Sequence, residues 1–299
     1  MAAIVVQDLA VAYGKTKAVD GVSFEVAEGE FFGILGPNGA GKTTTLEVIE
    51  GLRRPDRGDV TLLGEKPWPR NQRLLPRIGV QLQASAFFDR LSVREQLHTF
   101  AAMYGVPTSA ADTWVERVGL ADKAGTRTED LSGGQAQRLA IACALVHEPE
   151  VVFLDEPTAA LDPQARRNLW DLLNGINDAG RTVVLTTHYL DEAEALCDRV
   201  AIMDHGKVLE LDSPHALVRG IDAPIRISLD KGRLDRAAAS ALDGVDEVND
   251  DGDTLVLSTR RPSDVLAELA GRQALDGLQV RGATLEDVFL SLTGREYRA

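Results

Sequence analysis

A glycine-rich segment near the start of the chain has the residue types and spacing of a phosphate-binding loop. It fits the pattern G-x-x-x-x-G-K-[ST] in full and consists of Gly36, Pro37, Asn38, Gly39, Ala40, Gly41, Lys42 and Thr43, followed by Thr44. Backbone N–H groups of such a loop curl around phosphate oxygens, and the next helix adds partial positive charge. We expect Lys42 to reach the β- and γ-phosphates and the Thr43 hydroxyl to ligate Mg²⁺.

Two adjacent acids follow an apolar run of four residues, Val151–Leu154. Asp155 and Glu156 at a strand tip suit a Mg²⁺ site beside a base that activates water. We expect Asp155 to complete the metal's coordination shell and Glu156 to orient or deprotonate the attacking water. The alternative is that these two acids are simply solvated residues at a strand end. This alternative is disfavoured because the chain also contains a phosphate-binding loop.

A third segment, Leu131-Ser-Gly-Gly-Gln135, has the form of a second anion-binding helix start. Ser132 is placed to cap a helix, and the two glycines after it expose backbone N–H groups. Taken alone, a Ser-Gly-Gly turn is also a common structural helix start.

Alternating strands and helices are predicted to position these residues. Apolar runs at 31–35, 150–154 and 182–187 predict buried strands, and helices are expected at 42–50, 133–147 and 163–178. This alternation indicates a mainly parallel sheet. Further elements are antiparallel strands at 3–7 and 22–26, and helices at 92–104 and 108–119 with Ser92 and Thr108 or Ser109 as N-caps.

The pattern changes after about residue 221, so we predict a first domain over residues 1–221 and a second over 222–299. The second has the order β-α-β-β-α-β, with strands at 225–229, 245–249, 254–259 and 278–281. This order predicts a small α+β domain of the ferredoxin-like type, followed by a short helix over 284–292.

Composition narrows the classes of protein. The 299 residues carry a formal charge of −14. This negative charge argues against nucleic acid as a partner, because domains that bind its phosphate backbone usually carry a basic face. The two cysteines have no metal-ligand spacing. The first residues lack the pattern of a signal peptide, and no apolar run is long enough to cross a bilayer.

The three motifs, in this order, resemble the ATP-binding-cassette superfamily. The resemblance rests on residues 36–43, 131–135 and 154–162 and covers about residues 1–220. It implies a P-loop NTPase fold of the α/β class: a RecA-like parallel sheet, an antiparallel β subdomain and a helical subdomain. It also implies an ATPase that uses ATP and Mg²⁺.

The resemblance assigns further residues. Tyr13 occupies the position whose aromatic ring stacks on adenine, although a lone Tyr is more often a packing residue. Gln83 is similar to the glutamine that contacts Mg²⁺ or water and couples to a membrane partner, with Gln81 as a nearby alternative. His188 resembles the switch histidine that contacts the γ-phosphate, and Asp162 the aspartate of a dimer-contacting loop.

In that superfamily, two copies pack head to tail and each signature loop caps the ATP of the other copy. The resemblance therefore implies an ATP-dependent homodimer, in which residues of one copy act on the nucleotide of its partner. Here these residues are Ser132, Gly133, Gly134 and Gln135.

The end of the second domain, around Thr284–Leu290, is similar to ATPases of drug and polyketide exporters of the daunorubicin-resistance, ABC-2 type. In these exporters the permease is a separate transmembrane subunit, so we expect a peripheral protein on the cytoplasmic face of the membrane. An apolar groove of Ala84–Phe88, Met103 and Tyr104 would receive that subunit. Phe87 and Phe88 are equally consistent with a local core.

Other classes of protein fit less well. A GTPase needs an Asn-Lys-x-Asp motif, which is absent. A non-transport soluble cassette ATPase of regulation, translation or repair is the alternative function. It normally needs two cassettes or a coiled-coil insertion, and the sequence contains neither.

Overall fold

The computed structural model describes residues 1–81, 87–159 and 161–294. The described part of the chain divides into two compact units, residues 1–214 and 215–294. The division falls at the start of a short helix, a few residues before the predicted boundary at residue 221.

The described part of the first unit contains strands of two sheets. In chain order they are β1 (Ala2–Tyr13), β2 (Thr16–Ala27), β3 (Phe31–Leu35), β4 (Arg57–Leu62), β5 (Ile78–Gln81), β6 (Val151–Asp155), β7 (Thr182–Thr187), β8 (Arg199–Asp204) and β9 (Lys207–Asp212).

The larger sheet has the order β5-β6-β7-β3-β8-β9 and is parallel except for the pair β8 and β9. Its central strands β3, β6 and β7 are buried at every position, which explains their continuous apolar sequences. The carboxyl ends of these strands lie at one edge of the sheet. The predicted mainly parallel sheet is confirmed, and its edge is where the predicted site residues follow the strands.

The smaller sheet is antiparallel, with the order β2-β1-β4. Its first two strands are 12 residues each, longer than predicted, and register shifts interrupt their pairing. Apolar side chains between the two sheets form the core, in which the Phe24 and Phe32 rings stack with centroids 5.1 Å apart. Burying such a side chain stabilises the fold by about 1.5–3 kcal/mol.

The helices of the first unit are α1 (Lys42–Ile49), α2 (Val93–Tyr104), α3 (Thr108–Arg117), α4 (Gly133–Leu145), α5 (Pro163–Asp178) and α6 (Leu190–Leu196), with 3₁₀ turns at Leu75–Arg77, Ala121–Lys123 and Thr128–Asp130. Helices α2, α3 and α4 pack on one another. Ser92 caps α2 as predicted, in a capping box with Glu95. The predicted cap of α3 is wrong: Pro107 occupies that position, and no side chain caps this helix end.

The second unit begins within α7 (Pro214–Gly220). It then contains β10 (Ile225–Asp230), α8 (Arg236–Ser240), β11 (Glu247–Asp251), β12 (Thr254–Thr259), α9 (Pro262–Gly271), β13 (Gln279–Arg281) and α10 (Leu285–Thr293). Its four strands form an antiparallel sheet in the order β11-β12-β10-β13. Ile227, Leu257, Val265 and Leu269 contribute to its own core. This is the predicted ferredoxin-like topology.

Candidate nucleotide site

The glycine-rich loop joins β3 to α1 at the carboxyl edge of the larger sheet. The Gly36 N–H donates to the Thr187 carbonyl at the end of β7, over 3.3 Å. A Cβ at Gly36 would overlap the Met203 carbonyl of β8. The loop therefore starts between two neighbouring strands, where only glycine fits.

Gly41 closes the loop and sits at the N-cap of α1 with a φ of 102°. This left-handed conformation is rarely adopted by residues other than glycine. A Cβ here would also overlap the Ala18 carbonyl of β2. A cleft of about 310 Å³ opens over the loop and is lined by Ala18, Asn38, Gly39, Gly41, Lys42, Thr43, Thr44 and Glu156.

Lys42 is 4% exposed, and its ammonium group lies within the loop. Nζ donates to the Gly36 carbonyl over 2.8 Å and to the Pro37 carbonyl over 3.2 Å, and lies 3.3 Å from Glu156 Oε1. Burial lowers the pKa of Lys42, and the Glu156 carboxylate opposes that shift. The ammonium is held at the position from which a lysine of this loop reaches phosphate oxygens.

Asp155 ends β6 beside the first turn of α1. The Thr43 hydroxyl donates to Asp155 Oδ1 over 3.2 Å, and the Thr186 hydroxyl donates to the same oxygen. Burial raises the pKa of Asp155, while these two hydrogen bonds oppose the shift. A hydroxyl and a carboxylate side by side are the hard oxygen ligands that Mg²⁺ takes when substrate phosphates supply others. Thr43 and Asp155 therefore fit a bound Mg²⁺ ion.

Glu156 has a φ of 48°, a backbone conformation that costs energy in a non-glycine residue and is often found at functional sites. Its N–H donates to Thr186 Oγ1 over 3.1 Å, and the same N–H lies 3.1 Å from the Thr186 carbonyl oxygen. Its Oε2 lies 3.1 Å from His188 Nδ1. The bent backbone turns the Glu156 carboxylate into the cleft, where it faces Lys42 on one side and His188 on the other.

Tyr13, at the end of β1, is 47% exposed beside the helix that follows the loop. Its hydroxyl is 3.5 Å from Thr44 Oγ1, and the Arg53 guanidinium lies 4.8 Å from the ring centroid. Arg53 is itself held by Glu47, with Nε 2.6 Å from Oε2. The ring thus has one face covered by a cation and an exposed surface at the edge of the site.

The other predicted residues lie apart from this cleft or outside the described residues. Ser132 caps α4, and Ser132 and Gln135 form a reciprocal capping box in which the Ser132 N–H donates to Gln135 Oε1 over 3.0 Å. Ser132 and Gly133 are exposed. Asp162 caps α5, where its Oδ1 accepts from the Gln164 and Ala165 N–H groups over 3.0 Å each. Gln83 lies outside the described residues.

Thr186 and Arg53 are two residues of the site that the sequence patterns do not indicate. Thr186 belongs to the site because the register of β6 and β7 places it directly opposite Asp155. This pairing joins distant parts of the chain, so no local pattern reveals it. The threonine pair at the end of an apolar strand is the only signal that the sequence offers.

Comparisons with known proteins agree with this geometry. A model of the ABC transporter family matches residues 19–159. The chain is 42% identical over 291 residues to the Nod factor export ATP-binding protein I of Burkholderia orbicola (strain AU 1054), covering 95% of this chain and 94% of the relative. It is 40% identical over 288 residues to the protein of the same name from Rhizobium sp. (strain N33), covering 95% and 94%.

Solved structures match about 70% of the chain. An ATP-binding subunit of an ABC transporter is 28% identical, with a TM-score of 0.66 over 73% of this chain and 92% of that one. A bacterial ABC transporter cassette solved as a dimer is also 28% identical, with a TM-score of 0.65 over 70% and 98%.

The chain belongs to the ABC transporter family, and it is an ATP-binding subunit of that family. It is an ATPase that binds ATP with Mg²⁺ and couples hydrolysis to transport. The predicted P-loop NTPase fold is confirmed.

Proposed function

We propose that this chain powers an ABC-2 type exporter, related to the daunorubicin-resistance ATPases, of a drug-like, antibiotic or lipid-like compound. The observation that carries the proposal is the similarity to Nod factor export ATP-binding proteins over 95% of the chain, which includes the second unit. A likeness confined to the cassette would leave the direction of transport open.

Hydrolysis is assigned to the side chains of the cleft. Lys42 and the backbone N–H groups of the loop bind the phosphates, and Thr43, Asp155 and Gln83 hold Mg²⁺, which neutralises phosphate charge when bound. Glu156 accepts a proton from the attacking water, and His188 contacts the γ-phosphate. The Glu156–His188 distance of 3.1 Å supports this assignment, because one water could contact both groups.

A second copy of the chain completes the nucleotide site in this proposal. The N-terminus of α4 is exposed at Ser132 and Gly133, away from the cleft of its own chain, and can donate to an anion on another molecule. We assign Ser132, Gly133, Gly134, Gln135 and Asp162 to the head-to-tail contact with the partner's ATP. The cassette solved as a dimer supports this arrangement.

A separate transmembrane permease is the further partner. Among the described residues no helix is long and apolar enough to cross a membrane. Met103, Phe88 and Tyr104 are exposed large apolar side chains at 68%, 48% and 39%. We assign them to the permease contact, which places the subunit at the cytoplasmic face of the membrane. We further propose that residues 222–299 stabilise or regulate the dimer.

Affinity purification from membranes tests this function. A tagged Glu156→Gln variant, purified with ATP and Mg²⁺ after mild detergent extraction, should retain a membrane partner, of one chain or two, with several spanning helices. Inverted vesicles that contain both chains should take up at least one compound of a panel of drugs, antibiotics and lipids, only with ATP and with Glu156 intact. A chain found only in the soluble fraction, with no membrane protein bound, would contradict the proposal.

A further inference from the structure

Glu192 is a buried carboxyl group that none of the assignments above uses. It lies in the first turn of α6, and its exposed fraction is 0%. Burying a carboxyl group away from water is costly unless its neighbours compensate. Its surroundings therefore indicate what it does.

Three polar side chains surround this carboxyl group. Trp170 Nε1, on α5, donates to Glu192 Oε1 over 3.3 Å. The Thr187 and Thr158 side chains lie near the same group, and both threonines are buried, at 1% and 0% exposure. Among the described residues, the Thr158 hydroxyl and Glu192 Oε2 have no hydrogen-bond partner. Burial raises the pKa of Glu192, and these three neighbouring side chains oppose the shift.

The two threonines are next to the proposed catalytic pair in the sequence. Thr158 is two residues after Glu156, and Thr187 directly precedes His188. The buried carboxyl group thus lies near both segments that carry the 3.1 Å pair of Glu156 and His188, and its hydrogen bond with Trp170 ties it to α5.

A second set of contacts joins α5 to the same segment. The Arg166 guanidinium lies 4.2 Å from the centroid of the Tyr189 ring, and its Nη1 lies 3.4 Å from Asp191 Oδ2. The Tyr189 ring in turn lies 4.1 Å from the His188 ring. Helix α5 therefore holds the histidine segment through Arg166 as well as through Trp170 and Glu192.

We propose that Glu192 is a positioning residue for ATP hydrolysis, which together with α5 holds the His188 segment in place beside Glu156. The inference rests on the proposed roles of Glu156 and His188. Displacing a catalytic group by about 1 Å can cost on the order of 10²-fold in rate without a matching loss of substrate binding.

Two substitutions at Glu192 test the inference in the full-length chain. Glu192→Leu removes every polar contact and should lower kcat by on the order of 10- to 100-fold while KM for ATP changes little. Glu192→Gln keeps an acceptor for Trp170 and polar atoms beside the threonines, so it should restore most of kcat. Glu194→Leu, at an exposed carboxylate of the same helix, is the matched control and should leave kcat unchanged.

The results for the Glu192 variants either support or overturn the inference. Unchanged kcat in Glu192→Leu, or equal losses in the Leu and Gln variants, would overturn the inference. Where Glu192→Leu fails to fold, Trp170→Phe and Arg166→Leu each remove one contact of α5 with this segment. Each should lower kcat at constant KM, and normal kcat in both would overturn the inference. Full hydrolysis by Glu156→Gln, measured in parallel, would instead refute the proposed role of Glu156.

Discussion

Lys42 Nζ lies 3.3 Å from Glu156 Oε1, and the two side chains are 4% and 9% exposed. The lysine that binds phosphate and the proposed base therefore share one buried ion pair. Bound phosphate would compete with the Glu156 carboxylate for the Lys42 ammonium. This relationship links the affinity for ATP to the group that hydrolyses it.

Glu156→Gln should bind ATP at least as tightly as the natural chain, because the competing negative charge is removed. Turnover should fall on the order of 10²- to 10⁴-fold, the usual contribution of a positioned base. Phosphate release measures the rate, and light scattering with ATP and Mg²⁺ should show a dimer. The control is Glu148→Gln at an exposed carboxylate. Undiminished hydrolysis, or a variant that stays monomeric, would contradict the assignment.

Arg53→Leu should weaken ATP binding about two- to fivefold without changing kcat. The Arg53 guanidinium covers one face of the Tyr13 ring at 4.8 Å, and such a contact contributes about 0.5–1 kcal/mol at exposed sites. Titration with a fluorescent ATP analogue measures the affinity. Arg54→Leu, at the exposed neighbouring arginine, serves as the control. Equal affinities in both variants would show that Arg53 does not orient Tyr13.

Gly41→Ala should abolish nucleotide binding and lower the thermal midpoint. The substitution forces a φ of 102° on alanine, at about 1–3 kcal/mol, and adds an overlap with the Ala18 carbonyl. Gly175→Ala is the matched control, because this glycine lies within α5 with nothing near its Cβ position. It should be neutral or stabilising by about 0.5–1 kcal/mol. Calorimetry with and without ATP separates the loss of nucleotide binding from the fall in the thermal midpoint.

Glu50 predicts a pH dependence of stability. Burial raises its pKa to about 9, with repulsion from Asp155 and Glu47 adding to the shift. Because the unfolded chain loses this proton near its ordinary pKa, the folded chain binds more protons between about pH 4.5 and 9. Stability should therefore fall as pH rises through this window, by up to about 1.4 kcal/mol per unit. In the nucleotide-free Glu50→Gln variant, the free energy of unfolding from denaturant titrations should no longer show this fall with pH. An unchanged slope against pH would contradict the prediction.

Deletion of residues 222–299 should leave ATP binding by the monomer intact and weaken the dimer. The residues of the cleft all belong to the first unit, and the second unit has a core of its own. Calorimetry measures binding, and light scattering in the Glu156→Gln background measures pairing. Lost ATP binding would mean that the cassette extends beyond residue 221.

The sequence predicts the elements that depend on local patterns. Apolar runs identify β3, β6 and β7, and the glycine pattern identifies the loop between β3 and α1, because burial and backbone geometry act there over a few residues. The second unit follows from alternating patterns in the same way. The contacts of Thr186 with Asp155 and of Arg53 with Tyr13 depend on register and packing between distant segments, so no window of sequence contains them.

The phosphate loop takes its shape from distant parts of the chain. The Ala40 carbonyl accepts from the Gly206 N–H over 2.9 Å, and the Gly206 carbonyl accepts from the Asp20 N–H over 2.8 Å. During synthesis the loop leaves the ribosome long before the turn between β8 and β9 that holds it. We therefore expect the nascent chain to bind ATP only after that turn has emerged and docked against the loop.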